Sequence, residues 1–345
     1  MDGQGAPAAR RADRRPGERR LTPLERALRT RIAAEGSISV EAFMEACNSY
    51  YYATRDPLGQ RGDFVTAPEV SQMFGELAGA ALADCWQRAG APSDAIYAEL
   101  GPGRGTLAAD ALRVLRAAGF AGEVHLVETS PVLRSAQAEI VPDAKWHHTV
   151  GDLPARPILV VANEFFDALP VRQLVGGTER RVMVAAGGLA FDRDGDIVEQ
   201  SPAREGVMTA IATCLACCGG AALVIDYGHE RSAPGDTLQA VRGHRFSPVL
   251  ADPGEQDLTA HVDFEALAEA ATRAGAAVTP LASQRDWLNR LGIGARAAAL
   301  AGRNPERADD LAAAVHRLTA RDEMGELFKV MAVHSPDWPA PAGFE

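Results

Sequence analysis

The chain has 345 residues, 47% of them hydrophobic, and a formal net charge of −11 at pH 7. A chain of this length and composition can bury a large core, as one elaborated domain or as two. Nine arginines and four acidic residues lie in residues 1–31, so the remainder is strongly acidic, which disfavours nucleic acid and favours a cationic substrate or partner.

Neither a membrane span nor a disulfide framework is indicated. No apolar run approaches the ~20 residues that cross a bilayer, and no apolar segment typical of a secretory signal follows the charged N-terminus. We therefore expect a protein without membrane insertion, located in the cytoplasm of a bacterial host or, only if the host is eukaryotic, in the mitochondrial matrix. The five cysteines include the motif CLACC (214–218), but no second Cys/His pair has zinc-site spacing. They are interpreted as reduced thiols, the motif as helical, and no metal is expected.

The first ninety residues predict a tail, a helical cap and a lid. Residues 1–20 are rich in Gly, Pro and Arg and have little to bury, which is typical of a disordered tail. Apolar residues spaced as in helices flank Gly36 and predict two short helices. The polar, aromatic stretch from Asn48 onward is a candidate lid loop, and helical periodicity resumes around residue 70. We assign residues 21–90 to this cap and lid.

From residue 91 to residue 335 the pattern predicts an α/β fold. The segments AIYAEL, EVHLVE and ILVVANE read as buried strands, with helices between them at about 106–118 and 131–140. This alternation indicates a doubly wound, Rossmann-like parallel sheet with helices on both faces.

Short strands and Gly-rich turns interrupt this pattern after Pro170. They predict a β-hairpin insertion at about 171–220, before the strand ALVIDYG resumes the sheet. A loop over 229–260, several helices and a last strand, LFKVMAV, are expected to complete the domain.

The segment YAELGPGRGTL (97–107) places a Gly-rich turn between a strand and a helix. Such a turn lets backbone N–H groups approach a ligand closely, and the helix N-terminus adds partial positive charge. The glycines fall at 101, 103 and 105, and Thr106 occupies the third position of the dinucleotide fingerprint, which argues against NAD. No lysine is nearby, so a P-loop is also disfavoured. The acidic-x-Gly-x-Gly-x-Gly pattern that begins at Glu99 resembles motif I of class I S-adenosylmethionine-dependent methyltransferases.

Two further carboxylates are candidates for cofactor binding. Glu128 ends the next predicted strand, where a carboxylate can accept both ribose hydroxyl protons; NAD sites use the same arrangement, so it indicates a nucleoside only. Asp152 lies just past the expected third strand and either binds the adenine amino group or belongs to a plain turn.

The segment VVANEFFDALPVRQ (160–173) provides candidate groups for the acceptor. Asn163 and Glu164 end the fourth predicted strand, and Asp167 follows. Ligands of doubly wound sheets bind at the carboxyl ends of strands, so these groups are expected to face the crevice. Carboxylates beside two phenylalanines favour a cationic acceptor, although a carboxylate stabilised by a helix dipole is the alternative.

Six blocks of the sequence resemble, in order, the complex I assembly factor 7 (MidA-type) family of methyltransferases. They are YYATRDPLGQRGDFVTAPEVSQMFGEL, ELGPGRGTL, NEFFDALPVRQ, IDYGH, QRDWLNRLGI and MGELFKVMAV. The resemblance spans about residues 21 to 335. It implies a class I methyltransferase fold, S-adenosyl-L-methionine as cofactor, and methylation of an arginine on a protein, a respiratory complex I subunit for the mitochondrial members.

The resemblance also transfers residue roles. It implies a cofactor turn at Glu99, Gly101, Gly103 and Gly105, and crevice residues at Gly62, Asp63, Thr66, Glu69, Asn163, Glu164 and Asp167.

A guanidinium acceptor is protonated and poorly nucleophilic, so carboxylates are expected to orient it and to localise its charge. Glu164 and Asp167 are the first candidates, with Asp63 and Glu69 in reserve. Two other functions stay open: a cofactor-binding assembly factor that acts by docking to a partner protein, and a dinucleotide oxidoreductase. The second is disfavoured by Thr106 and by the lack of an evident His or Lys proton donor.

Overall fold

The computed structural model describes residues 21–55 and 66–344. The predicted tail at 1–20 and the centre of the predicted lid lie outside these residues. The helices of the described chain are α1 (Pro23–Glu35), α2 (Val40–Thr54), α3 (Ala67–Val70), α4 (Gln72–Arg88), α5 (Thr106–Ala117), α6 (Pro131–Ile140), α7 (Pro202–Cys218), α8 (Phe264–Arg273), α9 (Gln284–Arg290), α10 (Ile293–Arg303), α11 (Ala308–Thr319) and α12 (Met324–Leu327).

The strands of the described chain are short outside the central sheet. They are β1 (Ile38–Ser39), β2 (Ile96–Leu100), β3 (Val124–Val127), β4 (Lys145–His147), β5 (Ile158–Asn163), β6 (Arg172–Val175), β7 (Thr178–Glu179), β8 (Arg181–Ala185), β9 (Gly188–Phe191), β10 (Ile197–Gln200), β11 (Gly220–His229), β12 (Gln239–Arg242), β13 (Arg245–Ser247), β14 (Asp257–Thr259), β15 (Val262–Asp263), β16 (Ala277–Val278), β17 (Ala282–Ser283) and β18 (Phe328–His334).

The central sheet has the strand order β16-β18-β11-β5-β2-β3-β4. Strands β2, β3, β4, β5 and β11 pair in parallel, and β18 is antiparallel to its neighbours β11 and β16. The predicted doubly wound α/β sheet is confirmed. The chain passes from β2 to β3 and β4 on one side and then returns to β5 on the other. The crevice for ligands is therefore expected at the carboxyl ends of β2 and β5.

Local sequence explains the elements that flank this crevice. Every residue of β2 and of β5 is buried, as expected for strands that are covered by helices on both faces. Helix α6 has Pro131 in its first turn and Ser130 as N-cap, whose hydroxyl accepts a hydrogen bond from the N–H of Leu133 at 3.3 Å. This helix has the predicted bounds of 131–140.

Helices cover both faces of the sheet. On one face α4 and α5 pack beside α9, α10 and α11, around buried residues such as Phe74 and Trp287. On the other face α7 and α8 pack through residues such as Met208 and Leu267. Helix α4 thus packs on the sheet although its residues fall within the 21–90 assigned to the cap and lid. Within the insertion predicted at about 171–220, strands β6 to β10 occupy 172–200 and α7 packs on the sheet. The domain bounds themselves stay a prediction.

The N-terminal cap packs against the insertion. Strand β1 pairs with β8, with Ile38 opposite Val182, and a separate apolar cluster joins Leu28 and Phe43 of the cap to Leu258. Helix α2 continues to Thr54, so residues 48–54, which were predicted as part of the lid loop, are helical. The amide of Asn48 donates to the carbonyls of Ala168 (2.9 Å) and Leu258 (2.7 Å), which gives this polar residue a buried role inside a helix.

The region 229–260, predicted as a loop, contains a small sheet of order β13-β12-β14. These strands have only three or four residues each, too short to give a clear alternating pattern in the sequence. The predicted helix CLACC lies at the end of α7. None of the described helices is both long and apolar enough to cross a membrane.

The contact between α4 and α5 depends on Gly79. A Cβ atom at this position would lie 2.6 Å from both the Cα and the carbonyl oxygen of Ala111. Gly79→Ala is therefore expected to lower the free energy of unfolding by about 1–3 kcal/mol, despite the better helix propensity of alanine.

Gly206 provides the matched control, because it lies on α7 with nothing within 4 Å of the added Cβ. Gly206→Ala should raise the free energy of unfolding by up to ~1 kcal/mol. Urea denaturation measures both; equal effects of the two variants would show that the helices can separate at no cost.

Candidate functional site

The Gly-rich turn follows β2 at the switch point of the sheet. Gly101, Gly103 and Gly105 have φ angles of 59°, 55° and 87°, a region that L-residues rarely adopt. A Cβ at Gly101 would also lie 2.9 Å from the Cδ2 atom of Phe165. Gly105 is the N-cap of α5. The alternating glycines thus allow the backbone to form a cradle at the start of a helix.

Glu99 lies beneath this turn. Its side chain is buried in β2, and its Oε2 atom accepts a hydrogen bond from the hydroxyl of Tyr97 at 2.7 Å. Burial raises the pKa of Glu99 to about 8, and the bond from Tyr97 offsets this in part. Its cofactor-binding role stays a prediction.

Gln137 connects the turn to the carboxylate predicted to bind ribose. The buried amide of Gln137 donates to the carbonyl oxygen of Gly103 (2.7 Å) and to Oε2 of Glu128 (3.2 Å). Its Oε1 atom accepts a bond from Nε1 of Trp146 at 2.8 Å. Oε1 of Glu128 accepts a bond from the N–H of Ser130 at 2.8 Å. One fully buried side chain therefore fixes the glycine turn and Glu128 relative to each other.

The sequence reasoning missed Gln137. The available signal was its position four residues after Leu133, on the buried face of α6, where a polar residue needs partners. Burial raises the pKa of Glu128, and the bonds from Ser130 and Gln137 offset this in part.

Asp152 occupies an exposed turn after β4. Its Oδ2 atom accepts bonds from the N–H (2.9 Å) and the hydroxyl (3.0 Å) of Thr149. These bonds lower the pKa of Asp152. This is the plain-turn arrangement of the two alternatives, and a contact with adenine stays a prediction.

The acceptor groups lie at the carboxyl end of β5. Glu164 follows Asn163 with a φ of 50°, unusual for a residue other than glycine. Its Oε1 atom accepts bonds from the N–H of Ala67 and from Nδ2 of Asn163, both at 3.1 Å. Burial raises the pKa of Glu164 to about 8, and the negative charges of Asp167 and Asp257 add to this. Among the described residues, no cationic side chain forms an ion pair with this half-buried carboxylate.

Asp226, which follows the last residue of β11 that pairs with β5, holds this segment in place. Its buried Oδ2 atom accepts bonds from the N–H groups of Phe166 (3.0 Å) and Asp167 (3.2 Å). Burial and the negative charge of Asp167 raise its pKa well above the usual range. The sequence reasoning quoted its motif, IDYGH, but assigned it no role; the signal was an acidic residue directly after the apolar run of a predicted strand, where burial demands hydrogen-bond partners.

Asp167 is 5% exposed and lies among polar groups. Burial raises its pKa, a hydrogen bond from Tyr227 lowers it, and the positive charge of Arg204 lowers it further. Arg204 also donates to the carbonyl oxygens of Asp167 (2.9 Å) and His261 (2.6 Å). Within the described chain, Oδ1 of Asp167 and Oδ1 of Asn163 are buried without a hydrogen-bond partner. Such atoms are expected to bind a ligand or water.

Two of the predicted crevice residues, Thr66 and Glu69, belong to the short helix α3 and its N-cap. Oε1 of Glu69 accepts a bond from the hydroxyl of Thr106 at 2.9 Å, and Oε2 lies 3.8 Å from Arg104. Glu69 is therefore placed at the start of α5 and the glycine turn. Thr66 is the N-cap of α3. Gly62 and Asp63, a reserve catalytic candidate, lie outside the described residues.

These features fit a nucleoside cofactor without pyrophosphate. The three left-handed glycines at the N-terminus of α5 form a cradle that side chains would fill, and Glu128 provides a buried carboxylate at the end of the next strand, as in sites that bind ribose hydroxyls. The strand order, with an antiparallel β18, and this turn define the class I methyltransferase fold.

Comparison with known families agrees with this class. The family model described as "Putative S-adenosyl-L-methionine-dependent methyltransferase" matches residues 77–193 and 178–281. The chain belongs to this family, and it is an S-adenosyl-L-methionine-dependent methyltransferase.

Curated relatives are similar over most of their length. A Danio rerio protein, named "Protein arginine methyltransferase NDUFAF7, mitochondrial", is 34% identical over 362 residues, covering 89% of this chain and 85% of the relative. The Homo sapiens protein of the same name is 32% identical, with coverage of 92% and 85%. The Drosophila melanogaster homologue is 33% identical, with coverage of 90% and 84%.

Two crystal structures from Burkholderia thailandensis have the same fold. One contains S-adenosyl-homocysteine; it is 29% identical with a TM-score of 0.80, covering 92% of this chain and 93% of that chain. The other is 30% identical with a TM-score of 0.77, covering 92% and 95%.

Gln137→Leu is expected to weaken cofactor binding. The substitution removes the amide that donates to both Gly103 and Glu128, so no side chain then holds the glycine turn and the carboxylate in a fixed relative position. Calorimetric titration with S-adenosyl-homocysteine should show a dissociation constant at least about tenfold larger, the cost of one to two hydrogen bonds to a charged group.

Gln87→Leu is the matched control, because Gln87 is exposed and bonds only to the carbonyl of Ala118 among the described residues. It should leave the dissociation constant unchanged. An unaltered constant in Gln137→Leu, at the same helical content by circular dichroism, would contradict the role assigned to Gln137.

Proposed function

We propose that this methyltransferase modifies an arginine guanidinium of a protein substrate. The observation that carries the proposal is the excess of carboxyl groups, two of them buried, where β5 ends beside β11 and close to the glycine turn. Three carboxyl groups lie there close enough to act on one another electrostatically: Glu164, Asp167 and Asp226. Among the described residues, Arg204 provides a positive charge that acts on Asp167 and Asp226. A cationic acceptor would neutralise this charge. The names of the curated relatives support the same acceptor.

Glu164 is suited to orient the guanidinium. Its Oε1 atom is held by Ala67 and Asn163, which leaves Oε2 as the atom for a substrate N–H. A guanidinium binds a carboxylate through a charge-assisted hydrogen bond. It would also lower the pKa of Glu164 from about 8, so that the carboxylate is ionised when the substrate is bound.

The unpartnered Oδ1 of Asp167 provides a second acceptor. Two carboxylates on different sides of a guanidinium localise its charge on the nitrogens they contact, which leaves the third nitrogen more nucleophilic. When bound, S-adenosyl-L-methionine supplies an electrophilic methyl group on its sulfonium. In our proposal Glu128 and the glycine turn fix the nucleoside, and Glu164 and Asp167 fix the acceptor. Oε2 of Glu164 takes the proton that the guanidinium loses from the nitrogen bonded to this oxygen, while the third nitrogen takes the methyl group.

The partner is inferred from the family resemblance, and the location from the preference for arginine over lysine in the sequence. We propose a respiratory complex I-type subunit as the substrate protein and the cytoplasm of a bacterial host as the location. The curated relatives carry the word mitochondrial in their names, which is a property of those proteins.

Glu164→Gln tests the proposal. Because glutamine cannot pair with the cation or take its proton, methyl transfer should fall by at least about a hundredfold, the usual contribution of a general base. The assay uses tritiated S-adenosyl-L-methionine and an arginine peptide, with methylarginine identified after acid hydrolysis. Binding of S-adenosyl-homocysteine, measured by calorimetry, should change less than about threefold.

Glu139→Gln, an exposed position on α6, is the matched control and should keep full activity. Absence of methylarginine with the unsubstituted protein, at normal binding of S-adenosyl-homocysteine, would favour a docking protein. A host that tolerates Glu164→Gln would point the same way.

The pH dependence of the free energy of unfolding tests the raised pKa of Glu164. Burial raises the pKa of Glu164 to about 8, from an unfolded value near 4.5. The folded state then binds the extra proton, so this residue lowers the free energy of unfolding as pH rises from about 4.5 to 8. Chemical denaturation at pH 5 and pH 8.5 should show a smaller decrease for Glu164→Gln than for the unsubstituted chain. Equal decreases would show that the Glu164 pKa is not raised.

A further inference from the structure

The small sheet β13-β12-β14 presents one continuous row of side chains. Val241 of β12 is opposite Phe246 of β13 on one side and opposite Asp257 of β14 on the other. Residues that face each other across strands point to the same face of a sheet. Gln239 and Thr259, paired one step of the pleat away, share this face. The opposite face carries Ala240 and Leu258, which are buried against the cap.

The inner end of this row is close to the acceptor site. Oδ1 of Asp257 accepts a bond from the hydroxyl of Tyr52 at 2.8 Å, and its charge acts on Glu164. Nε2 of Gln239 lies 3.4 Å from the hydroxyl of Tyr227, the residue bonded to Asp167. The row therefore begins beside both proposed acceptor carboxylates.

The outer end of the row is an exposed aromatic ring. Phe246 is 78% exposed, whereas Val241 beside it is half-buried and Asp257 is 5% exposed. The strands β12 and β13 are joined by Gly243 and His244, both with positive φ, as in the tight turns that give a hairpin a fixed register. Adjacent strands lie about 4.8 Å apart, so Phe246 is about 10 Å from Asp257 across the sheet.

We propose that this row, Phe246–Val241–Asp257, binds the polypeptide that carries the target arginine. This inference rests on the proposed function. The occupant is an extended segment whose arginine enters among the carboxylates and whose nearby apolar side chain packs on Phe246 and Val241. An extended chain advances about 3.3 Å per residue, so the apolar residue lies two or three positions from the arginine. Two observations support this occupant: the row is continuous with the acceptor site, and its inner end has the charge complementary to arginine.

Peptide kinetics test this binding mode. One peptide has leucines two and three residues to either side of a single arginine, with glycine elsewhere; the other has glycine at all these positions. The unsubstituted protein should methylate the leucine peptide with a kcat/KM about five- to tenfold higher, mostly through KM, since an aromatic contact at an interface has this size.

Phe246→Ala should abolish the preference for the leucine peptide and leave the glycine peptide unaffected. Ile140→Ala is the control, because Ile140 is also an exposed apolar residue (44%) but lies at the end of α6, away from this sheet. It should keep the preference. Retention of the preference in Phe246→Ala would overturn the proposal.

Photo-crosslinking separates this proposal from the proposed function, because it needs no turnover. Benzoylphenylalanine is placed at position 246, and the protein loaded with S-adenosyl-homocysteine is irradiated with the biotinylated leucine peptide. One outcome is crosslinking that is prevented by an excess of unlabelled leucine peptide, together with no methylation in the kinetic assay. This result would support the docking row and reject arginine as the acceptor. Methylation without crosslinking would reject the docking row alone. Absence of both would reject both.

Discussion

The acceptor edge of the sheet depends on the hydrogen bonds of one buried carboxylate. Asp226, on the strand β11 that pairs with β5, accepts hydrogen bonds from the N–H groups of Phe166 and Asp167 and so holds the turn of the chain immediately after β5. This turn holds Glu164 at its positive φ and keeps Asp167 inside the molecule. A buried carboxyl group is costly unless its oxygens are bonded; here the two amides bond to Oδ2, and the N–H of Tyr227 donates to Oδ1 at 2.9 Å. One of the acidic residues of the site, Asp226, therefore has a structural role: its hydrogen bonds fix the backbone that carries Glu164 and Asp167.

Helix α3 connects the two halves of the site. Its first N–H, from Ala67, bonds to Glu164, and its Glu69 bonds to Thr106 at the start of α5. A helix of four residues thus contacts both the proposed acceptor carboxylate and the helix that follows the glycine turn. In-line displacement tolerates little misalignment between donor and acceptor, so a direct connection of this kind has a mechanistic use. The same helix follows the segment that the resemblance assigns to the crevice.

Much of the fold was predictable because its signals are local. Three glycines at alternate positions predict a left-handed turn, and Pro131 after Ser130 predicts the start of α6. The residues missed have partners distant in sequence. Gln137 bonds to Gly103, 34 positions away, and Asp226 bonds to Phe166, 60 positions away. The pattern of a single sequence shows which face of a helix or strand is buried, but not which polar group it meets there. The site could therefore be located from the sequence, but the hydrogen bonds that hold its parts together could not be predicted.

The packing of the N-terminal cap has a consequence for the order of synthesis. Helices α1 and α2 bury Leu28 and Phe43 against residues as late as Leu258, and Asn48 bonds to the carbonyl of Leu258, 210 positions further along. At about 5–20 residues per second, a ribosome needs about 10–40 s to produce that partner after releasing the cap. During this interval the apolar face of the cap has no native partner. Helices α1 and α2 are therefore among the last elements to reach their final contacts, although they are translated long before Leu258, and until then they present an apolar surface of the kind that chaperones bind.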